Sequence, residues 1–164
     1  MNISVEEEIS LLLRDTGLTL ATAESATGGL IAGLITNVSG SSRYYKGSVV
    51  SYASEIKEKV LGVKIDSLRQ YGAVSRQVAA EMAQGVRQLM HTDIGIADTG
   101  IAGPTGGTLQ KPVGLFYIAL ASGDDVIVEE HIFRGNRIVV RQEAAQAALI
   151  LLRNYLLRTR KTCE

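Results

Sequence analysis

The stretch Leu18-Thr19-Leu20-Ala21-Thr22-Ala23-Glu24-Ser25-Ala26-Thr27-Gly28-Gly29 sets the architecture. Leu18 to Ala23 predicts a buried strand, and Thr27 to Val38 predicts a helix that opens with two glycines. A serine at such a junction is held on a sharp turn. Free backbone N–H groups of the helix start point toward whatever binds there. Those groups can stabilise an oxyanion when a serine attacks an amide carbonyl. Ser25 or Thr27 could equally cap the helix, and capping serines are common, so spacing alone leaves both roles open.

Working outward, apolar spacing from Val5 to Leu13 predicts an amphipathic first helix ending near Asp15-Thr16-Gly17. Ser39-Gly40-Ser41-Ser42 is a predicted loop, Ser48 to Ala53 a strand, and Ser54 the start of a short helix with Ile56, Val60 and Leu61 as its apolar positions. Ser75 is placed to cap a helix through Leu89, followed by a strand over Ile94 to Thr99. Gly100 to Pro112 is too rich in glycine and proline for anything but a loop. Val113 to Ala121 and Val126 to Phe133 predict two strands joined at Ser122-Gly123-Asp124-Asp125, and a long Ala/Leu-rich helix runs from about Arg137 to Leu157. Early strand–helix alternation followed by an antiparallel pair predicts an α/β fold: a single three-layer α/β/α domain with a mixed sheet, spanning residues 1–164.

Composition narrows the function. The formal net charge is +0, which gives no global attraction to nucleic acid or an acidic membrane, so an anionic ligand needs a local cluster. The single cysteine, Cys163, excludes an intramolecular disulfide and a cysteine-rich metal site. His91 and His131 lie far apart and outside any HExxH pattern, so neither a zinc hydrolase nor a histidine triad is expected. Glu6, Glu7 and Glu8 precede the first apolar run, the reverse of a signal peptide, and no apolar stretch approaches the ~20 residues of a membrane span. A soluble, cytoplasmic protein is expected.

Three further constellations could carry chemistry. A serine nucleophile needs a base, and a lysine whose pKa is depressed by burial can supply one. Lys57, just after Tyr52, is a candidate; Lys59 points about 200° away on the same helix, so only one can face the site. An exposed lysine is the commoner outcome. The loop Thr99-Gly100-Ile101-Ala102-Gly103-Pro104-Thr105-Gly106-Gly107, closed by Lys111-Pro112-Val113-Gly114, follows a strand and can approach a ligand closely. It is neither a Walker loop nor a dinucleotide fingerprint. Arg137 and Arg141, with Arg134 before them, share one helical face near a helix start and suit a phosphate; a solvated charged face is the plainer alternative.

Taken in order, these motifs resemble the CinA C-terminal domain family, which also occurs alone as nicotinamide-mononucleotide deamidase (PncC). The resemblance rests on Thr22-Ala23-Glu24-Ser25 with Thr27-Gly28-Gly29, Gly40-Ser41-Ser42, Tyr52 with Lys57, Gly72-Ala73-Val74-Ser75, Gly100-Ile101-Ala102-Gly103-Pro104 with Gly106-Gly107, Lys111-Pro112-Val113-Gly114, and Gly135 with Arg137 and Arg141. It implies hydrolysis of the carboxamide of nicotinamide mononucleotide (NMN) to nicotinate mononucleotide and ammonia, with no metal or organic cofactor. The family's nucleophile matches Ser25, its base Lys57 and its proton-transfer tyrosine Tyr52; the serine matching Ser42 lies at the same site. Ala26, Thr27 and Gly28 are expected to bind substrate beside the nucleophile, and Gly100, Ile101, Ala102, Gly103, Arg137 and Arg141 to handle the ribose phosphate. The partner is thus a small nucleotide, not nucleic acid or membrane, and a homo-oligomer, with a dimer as one form, is expected.

The sequence departs from the family pattern in two places. Ala26 stands where many members have cysteine, which leaves the serine chemistry intact, and Asn136 stands where aspartate is frequent, which puts an acid role there in doubt. The domain similar to molybdopterin-binding domains found in full-length CinA has no counterpart here, so its pyrophosphatase-type activity is expected to be absent. A non-catalytic nucleotide-binding domain and an amidase for another small amide are the alternative readings.

Overall fold

The structure, a computed structural model, describes residues 3–161, so Cys163 lies outside the described residues. The elements are α1 (Val5–Thr16), β1 (Leu20–Glu24), α2 (Leu30–Thr36), β2 (Tyr45–Val50), α3 (Ser54–Leu61), α4 (Ile65–Tyr71), α5 (Arg76–Leu89), β3 (Ile94–Gly100), β4 (Leu115–Ser122), β5 (Asp125–Ile132) and α6 (Arg137–Lys161). They form one five-stranded sheet in the order β2-β1-β3-β4-β5. β1 pairs in parallel with β2 and β3, while β3–β4 and β4–β5 are antiparallel. The expected mixed sheet between two helical layers is the architecture found.

Strand alternation decides which helix covers which face. Leu20, Ile94, Ile96, Ile118 and Leu120 point to the side of α1, α2 and α6, where they meet Ile9, Leu13, Ile31 and Leu149. The opposite face presents Ala21, Ala23, Ala97, Ala119 and Ala121 to Val78, Met82 and Val86 of α5. Small residues on this second face let α5 lie close on the sheet. At Gly95 a Cβ would stand 2.1 Å from the Ala83 carbonyl oxygen, so no side chain fits there. No described helix is long and apolar enough to cross a membrane.

Several boundaries differ from the sequence prediction. The strand expected over Ser48 to Ala53 is Tyr45–Val50, because β2 ends with its partner: Val50 pairs with Glu24, and Ser51 N–H donates to the Glu24 carbonyl at 2.8 Å before the chain turns away. The helix expected from Thr27 begins at Leu30, since Gly28 (φ +60°) and Gly29 (φ +103°) occupy left-handed conformations outside an α-helix. α4 was not expected. It is short and exposes most of its surface, and Ser67 and the Lys64 N–H at its start both bond Glu81 of α5. Ser75 caps α5 as predicted, accepting from Val78 N–H at 3.3 Å.

Candidate active site

The site gathers where the chain leaves the C-terminal ends of the three parallel strands, the place where open α/β sheets usually bind ligands. Ser25 follows β1 directly and is 7% exposed. From the neighbouring strand end, α3 brings Lys57 underneath it: the ammonium or amine Nζ lies 2.9 Å from Ser25 Oγ, 2.6 Å from the Ser51 carbonyl and 3.4 Å from the Tyr52 carbonyl. Lys57 is 1% exposed, while Lys59 faces solvent, which settles which lysine reaches the site. Burial pushes the Lys57 amine down to about 8, with the Asp98 carboxylate pulling the other way.

The three contacts of Lys57 define what it can do. Two are carbonyl oxygens, which only accept. A neutral amine therefore spends its two N–H groups on Ser51 and Tyr52 and turns its lone pair toward the Ser25 hydroxyl. That arrangement can take the hydroxyl proton as Ser25 attacks a carbonyl carbon.

The turn holding Ser25 is not capped in the way the sequence suggested. Neither Ser25 nor Thr27 caps α2; the N-cap position is Gly29, with no side-chain bond of its own. The buried carboxylate of Glu24 does that work. It accepts from the N–H groups of Gly29 at 3.2 Å, Ile31 at 2.8 Å and Ala32 at 3.1 Å, and from the Ser48 hydroxyl at 3.2 Å. The helix start is thus already occupied by a carboxylate and is not an open anion site. Thr27 N–H, expected to serve an oxyanion, instead donates to Asp98 Oδ2 at 3.2 Å, and Ser25 N–H donates to Asp98 Oδ1 at 3.2 Å. Ala26 N–H, between them, has no acceptor among the described residues.

The carboxylate of Glu24 carries a measurable consequence. Glu24→Ala leaves three helix-start N–H groups without their acceptor, that of Ile31 buried and those of Gly29 and Ala32 part-buried. We expect a loss of at least about 3 kcal/mol in urea unfolding; a loss below about 1 kcal/mol would contradict the capping role.

Arg137 and Arg141 do share a face but bind differently. Arg141 donates Nε to the Ala26 carbonyl and Nη2 to the Thr27 carbonyl, both at 2.9 Å, so it clasps the nucleophile turn from outside. Gly28 makes room for it: a Cβ there would lie 2.9 Å from Arg141 Nη2. Arg137 spans the mouth of the site, donating to the Gly103 carbonyl at 2.8 Å and to the Tyr52 hydroxyl at 2.7 Å. Tyr52 is 62% exposed. Gly100 ends β3, Ile101 is held by a pair of bonds with Leu115 and Gly114, and Ala102 packs with Ala26, Phe116 and Val140, so this loop lines the side of the turn. Asn136 caps α6 through its side-chain oxygen on Val139 N–H at 3.0 Å, a structural use of a position where acid chemistry was in doubt.

Ser42 is a correction. It lies in a 3₁₀ turn before β2 and is exposed. β2 runs parallel to β1, so the start of β2 sits at the opposite end of the strands from Ser25. Five residues of strand put about 17 Å between the two ends. Within one chain Ser42 does not join the site.

Sequence reasoning also missed two residues, Glu24 and Asp98, both fully buried. The available signal was Asp98 within Ile94-Gly95-Ile96-Ala97-Asp98: a carboxylate on the same strand face as two isoleucines is a buried charge that needs a partner.

Comparison with known proteins finds relatives across nearly the whole chain. The family described as CinA C-terminal domain matches residues 2–156. A CinA-like protein of Syntrophomonas wolfei is 53% identical over 148 residues, covering 90% of this chain and 36% of that protein. A CinA-like protein of Sulfurihydrogenibium is 46% identical over 156 residues, 95% of this chain and 39% of that protein. The chain therefore spans little more than a third of these relatives. Among solved structures, the competence/damage inducible protein CihA of Agrobacterium tumefaciens superposes with a TM-score of 0.85 at 38% identity, covering 93% of this chain and 97% of that one. The competence damage-inducible protein A of Klebsiella pneumoniae gives 0.90 at 32% identity, covering 93% and 95%.

Proposed function

Because this chain belongs to the CinA C-terminal domain family, we propose that it hydrolyses the carboxamide of NMN to nicotinate mononucleotide and ammonia, with Ser25 as nucleophile and Lys57 as base. The observation that carries the proposal is the buried 2.9 Å contact between Lys57 Nζ and Ser25 Oγ, with the amine lowered to about 8. Neutral Lys57 takes the hydroxyl proton while Oγ bonds to the carboxamide carbon. The Ala26 N–H receives the developing oxyanion. The C–N bond then breaks as the nitrogen takes the proton that Lys57 removed from Ser25, relayed by the exposed Tyr52 hydroxyl, and leaves as ammonia, which returns Lys57 to its neutral form. Water, deprotonated in turn by Lys57, splits the ester and restores Ser25.

Arg137 suits the phosphate. Its two contacts at the mouth of the site orient the guanidinium and leave further N–H groups for an anion. Arg141 serves better as a clamp on the turn, since its Nε and Nη2 are committed to backbone carbonyls. The test is ammonia release by the purified protein from NMN, nicotinamide riboside, nicotinamide and purine amides. NMN should be turned over best, and loss of the phosphate should raise KM. Saturable NMN binding without ammonia would favour a nucleotide-binding role, and turnover of a different amide would change the substrate.

A further inference from the structure

Asp98 and Glu24 are both fully buried, and they sit side by side on one face of the sheet, next to the paired residues Ala97 and Ala23. The Thr27 hydroxyl lies between them, 2.7 Å from Glu24 Oε1 and 2.5 Å from Asp98 Oδ1. A hydroxyl carries one proton, and two ionised carboxylates can only accept. Both contacts are hydrogen bonds only if one carboxyl brings a proton of its own. Glu24 already receives four other donors, whereas Asp98 receives two, the Ser25 and Thr27 amides. When the site holds that proton it belongs on Asp98, whose Oδ1 then donates to Thr27 while Thr27 donates to Glu24; once Asp98 is ionised, Thr27 donates to it instead.

Building on the reading of Ser25 as nucleophile, we infer that Asp98 is the positioning residue of the nucleophile turn: bridged to Glu24 through Thr27, it holds the Ser25 and Thr27 amides inward, leaves Ala26 N–H for the oxyanion, and sets a titratable charge behind the Ser25–Lys57 pair. With the lower midpoint of the two, Asp98 is ionised over the range in which Lys57 turns neutral; there Thr27 donates to it, and its charge favours the protonated form of Lys57. The charged groups around Asp98 are Glu24 from β1, Lys57 from α3 across Ser25, and Arg141 from α6 beyond the turn carbonyls. Its β4 neighbour, Ile118, is apolar. Burial raises the Asp98 carboxyl to about 6; the Thr27 bond opposes that rise and the Glu24 charge adds to it.

The test is an NMR titration of the Asp98 carboxyl carbon, the Ser25 and Thr27 amides and Lys57 Nζ, in wild type and in Asp98→Asn, Thr27→Ser and Thr27→Val. In wild type the Asp98 carbon and both amides should titrate together near 6. Thr27→Ser, which keeps the hydroxyl, should preserve that midpoint, and Thr27→Val, which removes the bridging hydroxyl from both forms, should shift it. Asparagine keeps the size of Asp98 but loses its charge and can accept only one of the two amides. In Asp98→Asn the Lys57 midpoint should fall by about a unit, and kcat for ammonia release should fall about tenfold or more with a smaller change in KM. A wild-type Asp98 that titrates as an ordinary carboxylate overturns the proposal, and this needs no variant to fold. So does a Lys57 midpoint unmoved in folded Asp98→Asn. The titrations use no substrate, so an absence of NMN turnover would remove the activity reading and leave this one to be judged on its own.

Discussion

Ser25→Ala is expected to lower NMN deamidation by about 10⁴-fold or more, with KM changed only a few-fold. In the proposed mechanism the hydroxyl forms the bond to the carboxamide carbon, and the other hydroxyl of the turn, Thr27, is engaged with Glu24 and Asp98. Ala26 places no thiol beside Ser25. The fold should survive, because among the described residues the only side-chain partner of Ser25 Oγ is Lys57, which keeps both carbonyl contacts when the hydroxyl is gone. Steady-state ammonia release together with an unchanged thermal unfolding curve would separate lost chemistry from lost structure. Wild-type turnover in Ser25→Ala would remove Ser25 from the mechanism.

Lys57 should govern the pH dependence. Only the neutral amine can take the proton, so kcat should rise with pH through about 8 and level off above it. At pH 7 about a tenth of the molecules hold a neutral Lys57, from a midpoint near 8. Lys57→Met removes the base and should cost about 10²–10⁴-fold in kcat. Lys57→Arg should be no better, since a guanidinium does not deprotonate in this range. A profile flat from pH 6 to 9, with chemistry rate-limiting, would contradict the assignment.

How much of this was legible in the sequence depends on whether a residue acts through its neighbours in the chain or across the fold. The β1-to-α2 turn, the capped α5 and the β4–β5 hairpin are local patterns, and the structure contains each of them. The end of β2 is set by where β1 stops, a fact about another strand, so the expected strand came out three residues late. α4 has little apolar periodicity and is anchored by Glu81 from a different helix, so nothing within its own seven residues announces it. Lys57 and Ser25 were readable as a pair only through the family pattern, because 32 residues separate them and burial is what turns an ordinary lysine into a base. The same pattern misled at Ser42, where order along the chain says nothing about which end of a parallel strand a residue occupies. Glu24 and Asp98 were visible as letters, but their bridge exists only once β1 and β3 lie side by side and Thr27 folds between them.

The central claim is a covalent one, that Ser25 carries the acyl group between loss of ammonia and attack by water. Rapid acid quench of the protein during turnover of NMN, followed by mass spectrometry of its proteolytic peptides, tests it most directly. The account predicts an ester of nicotinate mononucleotide on the peptide containing Ser25, absent from Ser25→Ala. Ammonia released with the acyl group on another residue, or at the same rate by Ser25→Ala, would contradict it.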